Sequence, residues 1–211
     1  MYLARSVYLT LELMFANEDV KACAEAERLI DIAWATEDPV ASGSSLKEAY
    51  VLLRPLVEKG VPHALYLHAC CTLSYEVEDE QEFDRQYFGL IKEAAEKGHA
   101  KAQFRLGQAY DRGGNLGEDP QQSAAWFRKS AEQGYAYAQW VHGLNLLKGE
   151  SVPRDDKLGI EYIQKAADGK FEGALEFIAN AYAEGQHGFP RDESRSQTWR
   201  AKLKEPGVIG Y

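Results

Sequence analysis

The sequence predicts an all-α protein in which pairs of helices stack into a solenoid. The main evidence for this prediction is an internal repeat. Residues 134–149, GYAYAQWVHGLNLLKG, are similar to residues 98–113, GHAKAQFRLGQAYDRG, which lie 36 residues earlier. A fixed period of this size is typical of helical repeat proteins. Within each period the apolar residues are spaced as on one face of a helix, and Gly- and Pro-rich turns separate the periods.

The repeat extends through most of the chain. Alanines mark one equivalent position in four successive periods, with separations of 38, 36 and 36 residues: Ala64, Ala102, Ala138 and Ala174. A glycine follows each of the last three alanines by 11 residues. Glycine is favoured just after a helix, so we expect helices to end at Gly113, Gly149 and Gly185.

Each period is predicted to hold two helices. An aspartate stands seven residues before a large aromatic side chain at Asp119, Asp155 and Asp192, and aspartate is a preferred helix N-cap. In the first repeat Ser45 takes this place, and Glu48 would complete a capping box. The first helix of the best-defined repeat is expected over 121–133 and the second over 135–148. The expected apolar stripe of that first helix is Ser123, Trp126, Phe127, Ser130 and Ala131.

The predicted organisation has three parts. Residues 1–43 form two helices, 2–15 and 18–36, that are either an N-terminal cap or a degenerate repeat, with Asn17 capping the second helix. Residues 44–185 hold four repeats. Residues 186–211 hold one capping helix, from Asp192 to Lys204, and a tail. The tail from Pro206 could pack back on the cap or enter a neighbouring molecule's groove, but a free terminus is favoured.

Composition excludes several classes of partner. The net charge of −9 argues against a nucleic-acid-binding protein, which needs clustered Lys and Arg. No run of about 18 apolar residues predicts a membrane span. The three cysteines, Cys23, Cys70 and Cys71, give no disulfide framework and are interpreted as small core or near-core residues. The apolar start lacks the charge pattern and cleavage site of a secretory signal, so we expect a cytoplasmic protein.

The repeat resembles the Sel-1-like repeat family, a relative of the tetratricopeptide repeats. The resemblance is carried by Ala102, Leu106, Gly107, Tyr110 and Gly113, followed by Asp119, Trp126, Phe127, Ser130, Ala131 and Gly134. It implies a right-handed α/α superhelix and a protein–protein adaptor, commonly in bacterial signalling, secretion or envelope assembly. The chain departs from the pattern at His68 and His142, which stand where Leu106 does, and at Lys170, which stands where Gly134 does.

No catalytic or cofactor motif is predicted. Residues 44–47 match the S-x-x-K pattern, but no S-D-N or K-T-G follows, and the serines are interpreted as helix-capping residues. C-x-x-C, H-E-x-x-H and a P-loop lysine are all lacking from the sequence, so neither a metal nor a cofactor is expected. The five histidines are interpreted as structural or surface residues. An enzyme acting on cell-wall compounds is the least favoured of the functions considered.

The candidate partner-binding residues come from the face of the first helices, which the resemblance implies to be concave. They lie opposite the expected core stripe in successive repeats: Gln86, Gln122, Lys129, Lys165, Arg195 and Lys202. This face is mixed in charge and becomes basic toward the C-terminus. The alternative is a merely solvated face. An acidic segment at 76–84 is interpreted as a solvated loop or helix start, with a docking loop for a basic partner as the alternative.

A row of aromatic residues is the second candidate. Tyr66, Phe104 and Trp140 occupy one position of successive second helices, and Glu176 breaks the row. Such a row is either core or an exposed anchor, since Trp and Tyr dominate binding hot spots. Trp140 and the nearby Tyr137 are therefore included as candidate contacts. The favoured function is a non-enzymatic adaptor that binds another protein or a peptide; the alternative is an inhibitor or immunity-type protein that masks one enzyme or toxin.

Overall fold

The computed structural model of the chain describes residues 2–75, 77–113 and 116–209, without the side chains of residues 2–16 and 75. These residues form ten α-helices and no β-strand. The helices are α1 (Tyr2–Ala35), α2 (Pro39–Glu58), α3 (Pro62–Leu67), α4 (Glu80–Glu96), α5 (Ala100–Arg112), α6 (Pro120–Glu132), α7 (Ala136–Lys148), α8 (Asp156–Asp168), α9 (Glu172–Glu184) and α10 (Glu193–Lys202). After α3 the chain continues through a π-helical turn, His68–Thr72, and a short 3₁₀ turn, Leu73–Tyr75. Consecutive helices pack in pairs, which confirms the predicted fold class.

The chain divides into two compact units, an N-terminal unit (Met1–Ala102) and a C-terminal unit (Gln103–Tyr211). In the N-terminal unit the core joins α1, α2 and α3 through residues such as Ile30, Leu53 and Ala64. In the C-terminal unit, Ile163 and Phe171 belong to a core cluster that also holds the start of α9. All four alanines that mark the repeat are fully buried, as the helix-pair prediction requires.

The predicted aspartate caps are confirmed. The carboxylate of Asp119 accepts the N–H groups of residues 121 and 122, that of Asp155 accepts the Leu158 N–H, and that of Asp192 accepts the Arg195 N–H. Asp79 plays the same part for α4. The acidic segment 76–84 is thus a helix start from Asp79 onward, while Glu76 lies outside the described residues.

Two glycines allow α7 and α8 to approach closely. A Cβ atom on Gly143 would lie 2.8 Å from Ile163 Cγ1 and 2.9 Å from the carbonyl oxygen of Gly159. A Cβ atom on Gly159 would in turn lie 3.0 Å from the Gly143 carbonyl oxygen. Only glycine fits at these two positions, so this crossing fixes the spacing between the second helix of one repeat and the first helix of the next.

The N-terminal prediction was wrong in two respects. Residues 2–35 form one continuous helix, because Asn17 is only a mildly unfavourable helix residue and nothing stronger interrupts the segment. Helix α2 begins at Pro39 rather than near Ser45, which lies inside it. Asp38 caps α2 by accepting the Val40 N–H, and Pro39 suits the first helical position because its missing N–H needs no partner there.

The C-terminal tail is not free. The Ile209 N–H donates to the Lys170 carbonyl at 2.9 Å, and the Glu172 N–H donates to the Ile209 carbonyl at 3.0 Å. The Lys170 ammonium also donates to the Pro206 carbonyl at 3.0 Å. The favoured expectation of a free tail was therefore wrong: the tail packs on the turn before α9, whereas the alternative placed it on the capping helix. Residues 210 and 211 lie outside the described part. Gly207 repeats the left-handed conformation of Gly134, with φ values of 82° and 90°.

Candidate binding surface

Three lysines of the first helices lie over aromatic rings at equivalent positions of three successive first helices. The ammonium of Lys129 is 3.8 Å from the centre of the Trp126 ring, that of Lys165 is 4.9 Å from Tyr162, and that of Lys202 is 3.6 Å from Trp199. We call these three pairs the lysine–aromatic row. They lie on α6, α8 and α10, all in the C-terminal unit.

The geometry follows from the sequence spacing. Each aromatic residue stands seven positions after an N-cap aspartate, and each lysine stands three positions further, on the same helix face. A cation over an exposed aromatic ring is stabilised by about 0.5–1 kcal/mol. The rings are only half-buried, so each ammonium is held at a defined point and still faces water. The row thus presents one fixed positive charge on each of the helices α6, α8 and α10.

The row corrects part of the predicted core stripe. Ser123, Phe127, Ser130 and Ala131 are buried as expected, whereas Trp126 is only partly buried and lies beneath Lys129. Helical spacing placed the tryptophan near the apolar face, yet its large ring extends past the edge of that face.

The surroundings of Tyr162, the tyrosine of the row, raise the pKa of its hydroxyl. Burial raises the pKa of Tyr162, and the nearby carboxylate of Glu132 acts in the same direction, while Arg128 opposes them. Its ring also meets the buried His142 edge-on, with ring centres 4.8 Å apart. Tyr162 therefore stays neutral and links the surface row to the interior of the C-terminal unit.

A cleft opens on α8 beside the row. It has a volume of about 530 Å³, and Leu147 and Ile160 supply apolar lining while Asp156, Glu161 and His187 supply polar groups. Glu161 and Lys165 are one helical turn apart on α8, so the cleft adjoins the row. The hydrogen bonds from the Arg154 guanidinium lower the pKa of the Asp156 carboxyl, which therefore remains charged.

The remaining predicted contacts on the first helices are less uniform. Gln122 is exposed on α6, near the N-cap aspartate. Arg195 is exposed, pairs with Asp192 at 3.3 Å and lies 5.5 Å from the centre of the Tyr182 ring. Gln86 lies on α4 of the N-terminal unit, where it donates to Glu82 at 2.7 Å. The C-terminal unit thus brings together five of the predicted first-helix residues, and Gln86 belongs to the other unit.

The aromatic row of the second helices is mostly core. Trp140 is buried against Phe171 and Phe177, so its prediction as an exposed anchor was wrong. Tyr137 is half-buried between Phe104 and Phe171, with ring centres 4.6 and 4.9 Å away. Its packing role is therefore evident, and only its exposed part is available to a partner.

A hydrogen-bonded pair of histidines was missed by the sequence analysis. The Ala102 N–H donates to His99 Nδ1 at 3.2 Å, which places the His99 proton on Nε2. That proton is then donated to His63 Nδ1 at 3.0 Å, and His63 Nε2 faces a carboxylate oxygen of Glu27 at 3.4 Å. Burial lowers the pKa of His99 to about 4, and the neighbouring His63 and Lys101 act in the same direction.

Residues considered for catalysis do not assemble into a site among the described residues. Ser44 and Lys47 lie within α2. Burial raises the pKa of the Cys71 thiol to about 12, which makes this thiol a poor nucleophile. Cys70 is exposed rather than near the core, and Cys23 is buried. In the part of the chain that the structure describes, no group of three or more His, Cys, Asp or Glu side chains could hold a metal ion.

Comparison with known proteins agrees with the geometry. The sequence profile of the Sel1 repeat matches residues 100–135 and 136–171, which contain α5 to α8. The chain thus contains two segments that match the Sel1 repeat. No curated protein sequence matches it. Within the described residues, no helix is both long and apolar enough to cross a membrane.

Solved structures of Sel1-repeat proteins share the fold. A Sel1 repeat protein from Oxalobacter formigenes is 18% identical, with a TM-score of 0.64 over 87% of this chain and 72% of that one. The protein c5321, a protective antigen of uropathogenic Escherichia coli strains with the same type of fold, is 26% identical, with a TM-score of 0.58 over 85% of this chain. The present chain covers 38% of the length of c5321. Sel1-repeat proteins are generally protein–protein interaction scaffolds.

Proposed function

We propose that this protein is a non-enzymatic adaptor that holds an extended segment of another protein along the first helices of its repeats. The lysine–aromatic row would be the centre of the contact. Its partner segment would carry acidic side chains at intervals that match the repeat. The resemblance to the family implies that this face is concave, and a cytoplasmic location is supported by cysteines too few and too irregularly spaced for a disulfide framework.

The observation that carries the proposal is the recurrence of the cation in three successive first helices, α6, α8 and α10. A lysine that only makes a helix surface polar has no required side-chain position. By contrast, Lys129, Lys165 and Lys202 all lie over the aromatic residue three positions earlier. Holding the side chain in advance reduces the entropy that binding must cost. The cleft beside Ile160 and Glu161 would accept an apolar side chain of the same segment.

The test is charge reversal of the row in the full chain. The triple variant Lys129→Glu, Lys165→Glu, Lys202→Glu should lose about tenfold or more of its affinity for partners captured by the immobilised parent protein, because repulsion replaces attraction at all three positions of the row. A matched control reverses three exposed lysines of the N-terminal unit: Lys21, Lys47 and Lys92. Equal capture by both triple variants, with helix content unchanged by circular dichroism, would rule out the row as the binding site.

An inhibitor or immunity-type protein is the second candidate function, and the distribution of charge between the two units supports it. Residues 1–102 carry 18 acidic and 10 basic side chains, whereas residues 103–211 carry 15 and 14. The N-terminal unit could therefore cover a basic active site and capture it rapidly at low salt. Tight one-to-one binding to an enzyme, with loss of that enzyme's activity, would favour this candidate; weak binding to several proteins would favour the adaptor.

A further inference from the structure

The turn between α1 and α2 exposes a tryptophan. The Trp34 side chain is 67% exposed, and Val40, at the start of α2, is 80% exposed. Tryptophan is highly buried on average, and exposed apolar groups close together commonly mark binding sites. Because α1 ends at Ala35 and α2 begins at Pro39, these side chains lie at one end of the helical hairpin.

The other tryptophans of the chain show what Trp34 lacks. Trp140 is buried, and the rings of Trp126 and Trp199 each lie under a lysine three residues further along the helix. Three residues after Trp34 stands Glu37, a residue of the opposite charge. Within the described residues no cation or second ring contacts Trp34. Its indole face is therefore open to a cation that the chain itself does not supply.

The surroundings of Trp34 are acidic throughout. No basic residue occurs between Arg28 and Lys47, whereas Asp31, Glu37 and Asp38 are all exposed. Asp38 is engaged as the cap of α2, but among the described residues neither Asp31 nor Glu37 enters an ion pair. The C-terminal end of α1 adds partial negative charge from its carbonyl groups, and its last turn has no basic residue to offset it.

We propose that Trp34, Glu37 and Val40, together with Asp31, which lies on the same face of α1 as Trp34, form a docking surface for a basic segment of another protein. We call these residues the Trp34 surface. An arginine or lysine of the partner stacks on the indole, as the chain's own lysines do on Trp126 and Trp199. A neighbouring apolar side chain of the partner packs on Val40. This site lies in the N-terminal unit and is separate from the lysine–aromatic row, so it goes beyond the proposed function.

The test uses a defined probe, a fluorescein-labelled peptide of sequence Gly-Arg-Leu-Arg-Arg-Leu-Arg-Gly, titrated with the full chain and followed by fluorescence anisotropy. Trp34→Ala should weaken binding about tenfold, since a central tryptophan dominates such contacts. Glu37→Lys should weaken it by a similar factor of about ten, because it removes an attraction and adds a repulsion. The control Val51→Ala, which alters a 60% exposed apolar side chain of α2 in a stretch that also holds Lys47 and Arg54, should leave affinity within about twofold.

A second readout locates the contact. The indole N–H resonance of Trp34, identified by its loss in Trp34→Phe, should shift on addition of the peptide while that of the buried Trp140 stays in place. Three results would overturn the proposal: no saturable binding at millimolar peptide, equal weakening by Trp34→Ala of the binding of a peptide with every arginine replaced by glutamate, or unchanged affinity in Trp34→Ala. If Trp34→Ala instead changes the sedimentation coefficient of the protein alone, the surface joins two copies of the chain and the basic partner is refuted.

Discussion

The His99–His63–Glu27 network predicts a loss of stability in acid that can be isolated by one substitution. The folded protein holds the pKa of His99 at about 4, below the ordinary value of about 6.5 for an unfolded chain. The unfolded state therefore binds the proton more readily between these values. The contribution of His99 to stability is fully present above about pH 6.5, falls as the pH decreases toward 4, and is lost below that.

The magnitude follows from linkage. Between pH 7.5 and 5 the lowered pKa of His99 corresponds to a loss of about 2 kcal/mol in the free energy of unfolding. We reduce this value to about 1 kcal/mol because the ring is only partly buried. The charged groups that face His99 are Lys101 on its own side and Glu27 on α1, reached through His63. Tyr66 stacks on the ring at 4.6 Å. Protonated His99 could no longer accept the Ala102 N–H and would repel Lys101.

The substitution His99→Asn separates capping from titration. Asparagine is a preferred N-cap and can still accept an N–H of α5, but it has no proton to gain. We expect the variant to be destabilised by about 1 kcal/mol at pH 7.5, through loss of the His63 hydrogen bond and the ring contact. Between pH 7.5 and 5 it should lose about 1 kcal/mol less stability than the parent protein.

Urea unfolding followed by circular dichroism at pH 7.5, 6 and 5 measures both quantities. His142 must be controlled, because burial lowers its pKa to about 4 as well, with Arg128 acting in the same direction, and its Nδ1 has no hydrogen-bond partner among the described residues. The measurement is therefore repeated in a His142→Leu background, which supplies the leucine that Leu106 represents in the preceding repeat. If the free energy of unfolding had the same pH dependence in the protein with His99 and in the His99→Asn variant, the argument from the histidine network would be refuted.

Two further predictions concern packing and thiols. Gly143→Ala should destabilise the protein by about 2 kcal/mol or more because its Cβ would meet Ile163 and the backbone of α8, whereas Gly89→Ala, with open space around it on α4, should stabilise by about 0.5–1 kcal/mol in the same thermal unfolding assay. A thiol reagent at pH 8 should modify Cys70 rapidly and Cys71 only after unfolding, since burial raises the pKa of the Cys71 thiol to about 12; fast labelling of both under native conditions would contradict this.

The features predicted correctly from the sequence are those with a local cause. An aspartate cap depends on residues two or three positions away, and a glycine that ends a helix depends on its own backbone angle. These were readable at Asp119, Asp155 and Asp192, and at Gly149 and Gly185, which adopt φ values of 74° and 71°. Repetition strengthened each interpretation, since the same residue types recurred at the same offset.

The features that were missed depend on contacts between distant residues. His63 and His99 are 36 residues apart, which is one period of the repeat, so they lie at equivalent positions of successive repeats and can meet. The match between their separation and the period was the signal in the sequence from which this contact could have been predicted. The single helix α1 could not be recognised because Asn17 serves equally as a cap and as a helix-interior residue. How far Trp126 is buried depends on where its ring lies relative to the edge of the core. Helical spacing alone does not determine that position.

The two proposed surfaces differ in sign, and this makes them separable. The lysine–aromatic row presents Lys129, Lys165 and Lys202 to an acidic segment, whereas the Trp34 surface presents carboxylates and an open indole to a basic one. Added salt would weaken both and so distinguishes nothing. Exchanging the charge of the probe does distinguish them: the arginine peptide should be sensitive to Trp34→Ala and unaffected by reversal of the row, and a glutamate peptide should show the opposite pattern. A single variant that abolished both would indicate unfolding rather than two sites, so each proposal can fail without the other.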